Sequence, residues 1–393
     1  MNWPFYLIFK REMLRLAQSK STRNLFFFIP LVVFLVLGAI YYKGALREVP
    51  VAVYDNDNST LSRAFIRFME ASPNLKVTHY MASNDALEKV FVKNKVQGIF
   101  YIPENFHKHV LKGVPVQLKI YTNSTNIVFG NLLYKSAEQI TQLMSASVVV
   151  KNIAPLGINP NKILGTVLPI KLHTKTLANP QYNYVYYLLP GLTTVLLQMI
   201  LFFAASRAFN SEWKNGTYSE AFHKAKGNIL AILLGKYLAY MVYGLGLCAF
   251  IFAVVFSIFG IPIYGNIGYL LVLLLWFLSV NILLGFGISL IFPSEVIALD
   301  MVIFYNSPAF IFSGFTFPIW AMPWLNSWYA QMIPYTHFLT GFLKVYQLDA
   351  ALQFIKPELG KLSWFLLAGI LMIITGVIMN RKQVFVQPKN TSL

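Results

Sequence analysis

Gly235-Lys236 is the nearest this sequence comes to a phosphate-binding loop, in which backbone amides and a lysine hold phosphates. The upstream glycine is missing, since position 230 is Leu230, and Tyr237 stands where serine or threonine would meet a metal ion. Nucleotide hydrolysis is therefore not expected of this chain itself. Asp55, Asp57 and Ser59 could gather around a hard cation through carboxylate oxygens, but the same residues after a strand also build a turn, with Asn58 or Ser59 capping the next helix. His107 and His109 are two apart, which puts them on different helix faces and makes them poor co-ligands. The apolar runs hold no His-Glu-x-x-His, no Ser/Lys and no paired-Asp arrangement, so an intramembrane hydrolase is disfavoured. Lys236 and Asp300 lie in or beside apolar runs, where charge is functional by default, although both can reach the interface by snorkelling or position. Residues 212–220 are polar and sit between two apolar runs. They read either as a plain loop or as a short helix parallel to the membrane that transmits closure of a cytoplasmic protein to the spans.

The elements that must position these groups follow from composition. Of 393 residues, 56% are hydrophobic and 12% charged, about half the ~25% charge of a soluble domain. Lipid is the expected solvent, and disorder is excluded. The net charge of +17 comes from scattered basic residues, the pattern that fixes membrane orientation and not a nucleic-acid footprint. Cys248 is the only cysteine, so no intrachain disulfide can form. The first apolar run begins at Leu25 behind a basic leader and shows no small-residue cleavage site before Lys43, and is read as a retained span.

The fold expected is an α-helical integral membrane protein with about six transmembrane helices and an inserted extracytoplasmic α/β domain. Residues 1–24 form an amphipathic leader, a surface-lying helix with Phe5, Phe9, Met13 and Leu16 on one face and Lys10, Arg11 and Arg15 towards the other. Residues 25–42 are the first span. Residues 43–183 alternate strands (49–54, 75–80, 96–102, 116–121) with helices (59–71, 84–93, 104–111, 130–152) and end in a returning strand at 170–177. The helix over 59–71 carries Leu61, Phe65 and Phe68 on one face. Residues 184–380 hold five further spans (184–209, 229–259, 267–292, 296–312, 362–379), with a polar segment at 211–228 and a Pro- and Trp-rich re-entrant or interfacial hairpin at 313–336. Glycines 244, 246, 285 and 287 would let helices approach closely. Residues 381–393 are a tail. Basic residues gather in the leader, in 211–228 and in the tail, while the turn at 260–266 has no charge. Both termini are thus expected in the cytoplasm.

The ordered motifs resemble those of the permease subunit of type-2 ABC exporters, the six-span kind with a large external domain between spans one and two. Asp55 to Ser62 resembles the family's D-x-D-x-S-x-x-S stretch, Ile102-Pro103-Glu104-Asn105-Phe106 its iPxxF element, and Leu189-Pro190-Gly191-Leu192 its approach to span two. Glu212, Gly216, Thr217 and Glu220 match an E-x-x-x-G-T-x-x-E coupling element. Ser313, Gly314, Pro318, Met322 and Pro323, then Pro334 and Tyr335, match the SGFxFPxxxMP and iPxTyf signatures. The proline usual after the coupling element is missing, and Leu343 or Lys344 replaces the arginine usual after Pro-Tyr-Thr. The resemblance implies an ATP-driven exporter permease moving an amphiphilic or hydrophobic substrate, drug or lipid, out of the cytoplasm or inner leaflet. It implies a bacterial inner-membrane location, ATP and magnesium held in a separate cytoplasmic ATPase and not in this chain, and a second permease subunit, identical or related, and it leaves room for a periplasmic adaptor. It assigns coupling to Glu212, Gly216, Thr217 and Glu220, and a structural or gating role to the proline, glycine and tyrosine motif residues. The rival reading is a membrane-anchored extracytoplasmic ligand-binding or sensing protein.

Overall fold

A computed structural model of the chain describes residues 3–18, 24, 28–41, 47–82, 90–91, 96–123, 127–153, 179 and 183–385. It divides into two units: Ala45–Lys175, and Met1–Gly44 with Thr176–Leu393.

The first of these is an α/β layer. Strands β1 (Val49–Asp55), β2 (Leu75–Tyr80), β3 (Gly98–Ile102) and β4 (Lys119–Thr122) make one sheet of order β2-β1-β3-β4. The β1–β2 and β1–β3 pairs are parallel and β3–β4 antiparallel. Three helices of this unit are described: one at Thr60–Glu70, one at Phe106–Leu111 and a long one at Ile127–Ile153. Phe65, Ile66, Met69, Leu133 and Ile140 pack with Val51, Val53 and Phe100 of the sheet. Phe68, expected on the core face, is 37% exposed, and Met69, one position later, is buried in its place. The predicted helix over 84–93 falls almost wholly, and the predicted strand over 170–177 wholly, outside the described residues.

The acidic turn after β1 is scaffold. Asp55 Oδ1 accepts the backbone amides of Asp57 (3.1 Å) and Asn58 (3.0 Å), and Oδ2 accepts the Ser62 hydroxyl at 2.6 Å. Ser59, not Asn58, is the cap, in a reciprocal box with Ser62. Asp57 Oδ2 accepts the amide of His107 at 3.1 Å and so ties the helix at Phe106–Leu111 to the turn. Both Asp55 oxygens and Asp57 Oδ2 are thus committed to backbone and hydroxyl donors. Asp55→Ala is expected to cost about 2 kcal/mol, the worth of a charge-assisted acceptor at a helix start, read as a lower midpoint for protease cleavage of this unit in the full-length protein.

In the other unit, five helical stretches among the described residues are long and apolar enough to cross a membrane: Tyr184–Lys214, Ile229–Ile258, Ile267–Ile291, Glu295–Phe312 and Lys356–Met379. In finer division, α1 is Pro4–Gln18, α2 Ile29–Ile40, α6 Tyr184–Ser206, α7 Asn210–Lys214, α8 Tyr218–Lys224, α9 Ile229–Ala249, α10 Ile267–Ile291, α11 Glu295–Asn306, α12 Ala309–Phe312, α13 Trp324–Gln331, α14 Pro334–Leu348, α15 Lys356–Met379 and α16 Arg381–Val384; α3, α4 and α5 are the three helices of the α/β unit. Of the expected first span, the described residues include the apolar helix α2. Expected span five is interrupted: α11 stops at Asn306 and α12 starts after Pro308, because a proline disfavours helix in the residue before it.

The expected hairpin contains more regular structure than its composition indicated. After Gly314 (φ +86°), α13 and α14 follow, and α14 runs to Leu348, twelve residues past the predicted hairpin end. Pro334 opens α14, where a proline's missing amide costs nothing. Tyr335, Phe338, Leu339 and Phe342 are buried, and the Phe338 ring stacks on Phe277 of α10 at 3.8 Å. α10 and α15 run in the same direction, with Gly369 against Leu283 and Gly376 against Leu290, where an added Cβ would come within 2.9 and 2.6 Å. Small residues permit such backbone approach. Of the glycines expected to serve this purpose, Gly244 meets Leu278 and Leu201, Gly285 meets Ala205 and Gly287 meets Met372, while Gly246 faces open space.

Candidate functional site

The residues of the E-x-x-x-G-T-x-x-E motif fold as two short helices, α7 and α8, joined at Gly216, whose φ of +68° suits glycine. The leader helix α1 clamps this turn. Arg11 donates from Nη1 to Glu212 Oε1 (2.8 Å), from Nη2 to the Thr217 carbonyl (2.8 Å) and from Nε to Glu220 Oε2 (3.3 Å). One guanidinium thus gathers three of the four predicted coupling residues, and its planar fork can do so where a lysine could not.

Beneath the clamp lies a buried ion cluster. Lys236 of α9 is fully buried and donates to Glu12 Oε2 (3.0 Å), Glu212 Oε1 (2.9 Å) and the Ala208 carbonyl (2.8 Å). All three ammonium protons are used. Arg15 pairs with Glu12 at 2.5 Å and Glu212 at 3.1 Å. Two buried carboxylates therefore meet three cations, and Glu212 Oε1 receives all three. Nearby, Arg207 pairs with Glu295 of α11, which also takes Lys214 at 3.4 Å. On the exposed rim, the hydrogen bond from Lys224 (2.6 Å) and then that from Arg11 hold the Glu220 carboxyl below its usual range. Its ion pairs are thus complete above the ordinary carboxylate pKa and are lost only as pH falls through the lowered one.

Two expectations are corrected here. The leader is not a helix simply resting on a surface: its inward ridge is Ile8, Glu12 and Leu16, all buried, with Phe5, Phe9 and Met13 only half-buried beside it. Gly235 makes the approach possible, since a Cβ there would come within 2.6 Å of Ile8 and the Phe5 carbonyl. Lys236 does not snorkel; it is sealed under α1. Arg11 and Arg15, assigned to the polar face, turn out to be the clamp and a member of the cluster. Glu12 was missed altogether. The available signal was a lone acid among apolar residues at i−4 and i+4, which signifies a buried partner. Asp300 stands exposed on α11 and takes no part.

A second group of motif residues meets at the other end of α6, ~22 Å along the helix from Ser206. Tyr335 of α14 donates to the Gly191 carbonyl at 2.6 Å, with the Thr194 hydroxyl oxygen 3.0 Å away. Thr193 and Thr194 return hydroxyls to the Leu189 and Pro190 carbonyls at 2.7 Å, reinforcing the turn that Pro190 weakens. Tyr187 stacks on Phe315 at 4.9 Å and donates to its carbonyl at 3.0 Å. Ser313 Oγ donates to the Phe310 carbonyl at 2.8 Å. Pro318 and Pro323 precede the short helices at Ile319 and Trp324, with Met322, half-buried, between them. Gly191 leaves room for the Phe315 ring, which a Cβ would approach to 2.7 Å. Gly191→Val is expected to lower stability by about 2 kcal/mol through overpacking, and Tyr335→Phe by about 1 kcal/mol through one lost hydrogen bond. Thermal unfolding of the purified variants should rank them in that order.

Over the clamp is a cavity of about 520 Å³ lined by Lys10, Arg11, Arg15, Thr217, Glu220 and Lys224 with Leu7 and Leu14. Four of these side chains are cationic and one is acidic, so the recess favours an anionic guest. A set of apolar helices long enough to cross a membrane, with a polar, cation-lined segment clamped beside them, defines a multi-pass membrane protein. Comparison with known proteins agrees on the class. The pattern described as ABC-2 family transporter protein matches residues 20–379, and the chain belongs to that family. It is similar to the probable multidrug ABC transporter permease YbhS of Escherichia coli strain K12, 24% identical over 343 residues that cover 84% of this chain and 85% of that protein. It also resembles ABC transporter G family member 20 of Dictyostelium discoideum, 22% identical over 84% of this chain and 44% of that longer protein. The protein is a membrane transport permease.

Proposed function

We propose that this permease is the membrane subunit of an ATP-driven exporter of amphiphilic or hydrophobic compounds, energised by a separate cytoplasmic ATPase. The observation that carries this reading is the clamp: Arg11 ties the leader to Glu212, Thr217 and Glu220, and Lys236 ties both to α9. A push on α7 and α8 from an ATPase seated in the adjoining basic recess would move α1, α6 and α9 as one block. α6 would carry that motion towards the Gly191–Tyr335 contact. In this reading the leader, residues 211–228 and the tail are cytoplasmic, the α/β unit is extracytoplasmic, a second permease subunit completes the pathway, and the membrane is the inner membrane of a bacterium. The relative named as a probable multidrug permease supports an amphiphilic cargo.

The test is purification from native membranes followed by reconstitution. A nucleotide-hydrolysing subunit is expected to co-purify and to turn over faster with amphiphilic cargo. The double variant Gly216→Val, Glu220→Ala should keep the fold and lose that stimulation. Undiminished export by this variant would remove the coupling assignment.

A further inference from the structure

A cavity of about 850 Å³ lies among α6, α10, α11, α13, α14 and α15, apart from the clamp. It is of the size that ligand sites occupy. One wall is a stripe of α15, Trp364, Ala368 and Met372, spaced four apart and therefore on one face. Ile288 of α10 and Phe304 of α11 line it too. Phe304 is 81% and Trp364 73% exposed, and α11 and α15 are the least buried of the spanning helices. The groove is therefore open along α11 and α15 at the surface of this chain.

Its chemistry is uneven. Lys361 stands at one end, six residues into α15, and makes no ion pair or hydrogen bond among the described residues. The carboxylate one turn earlier, Glu358, is taken by Lys344 at 2.6 Å. From Lys361 to Met372 the helix rises ~16 Å, close to half of the ~30 Å hydrocarbon core. A cation near the start of a spanning-length helix, a tryptophan beside it and an apolar channel about one leaflet long fit an acyl chain below a negatively charged head. The geometry points to a built seat for one anionic phospholipid of the surrounding bilayer, with its phosphate at Lys361 and a chain along Trp364, Ala368 and Met372. This does not depend on the export reading, since a resident lipid would occupy the seat whatever the protein carries.

The full-length protein, purified in a non-ionic detergent, should retain dioleoyl phosphatidylglycerol about fivefold better than dioleoyl phosphatidylcholine in native mass spectrometry, the preference one basic side chain confers at a membrane surface. Lys361→Gln alters an exposed side chain and should abolish that preference while phosphatidylcholine is still retained. Ala368→Trp fills the channel and should release both lipids. Glycerol 3-phosphate, the head without the chains, should displace nothing; displacement would mark a free-phosphate site and overturn the assignment. Equal retention of the two lipids by the wild type, or an unchanged preference in Lys361→Gln, would overturn it as well. Size-exclusion profiles matching wild type establish that the variants are folded, and a Lys361→Arg variant should restore the preference.

Discussion

Lys236→Met is expected to destabilise the protein by about 3 kcal/mol, the scale on which removing one partner of a buried ion pair acts. Methionine fills similar space, but Glu12 and Glu212 remain buried with one cation fewer, and the Ala208 carbonyl loses its donor. The deficit is concentrated on Glu212 Oε1, where three cations converge. Thermal unfolding in detergent should show the loss. Glu12→Gln added to Lys236→Met should recover part of it, because the second change removes one of the stranded charges. A Lys236→Met protein as stable as wild type would mean that Arg11 and Arg15 alone neutralise the cluster.

Arg11→Ala should act on coupling more than on folding. Glu212 keeps Arg15 at 3.1 Å and Lys236 at 2.9 Å, so the buried carboxylate stays paired. What is lost is the tie from α1 to the Thr217 carbonyl and Glu220 across the Gly216 turn. Losing a charge-assisted bond worth about 1.5 kcal/mol corresponds to about tenfold, and ATP-driven transport should fall by that much while the unfolding temperature moves little. Arg11→Lys is the sharper comparison. It keeps the charge, yet a single ammonium cannot span the three acceptors that the guanidinium reaches, so its transport should resemble that of Arg11→Ala more than that of wild type. Normal transport by Arg11→Lys would reduce the clamp to simple charge balance.

The E-x-x-x-G-T-x-x-E residues and the signature residues were legible one at a time but not as partners. Glu212, Gly216, Thr217 and Glu220 stood out as a polar stretch between apolar runs, and Gly216 takes the positive φ that glycine permits. Nothing local announced that Arg11, some two hundred positions earlier, would reach all three polar groups. An amphipathic leader with cations on one side satisfies surface binding and helix packing equally well, and Glu12 among apolar neighbours was the one residue that distinguished them. The β-strands were readable because alternation and β-branched residues mark them, whereas Met69 displaced Phe68 because a helix face is fixed only once its partner sheet is in place.

The sequence by itself determined the solvent, since long uncharged runs are stable only in lipid, and it determined the α/β unit, since strand runs of four to seven residues bounded by turns are too short to be spans. It also marked the Pro- and Trp-rich stretch from Gly314 as one that no single helix could span. Tertiary structure alone decided which ionisable groups are buried together, because a charge can enter a low-dielectric interior only when its counter-charges arrive with it. It alone brought Tyr335 to the Gly191 carbonyl and left Lys361 without an ion pair or hydrogen bond among the described residues. Those pairings depend on distances between helices, and a linear pattern of residues does not contain them.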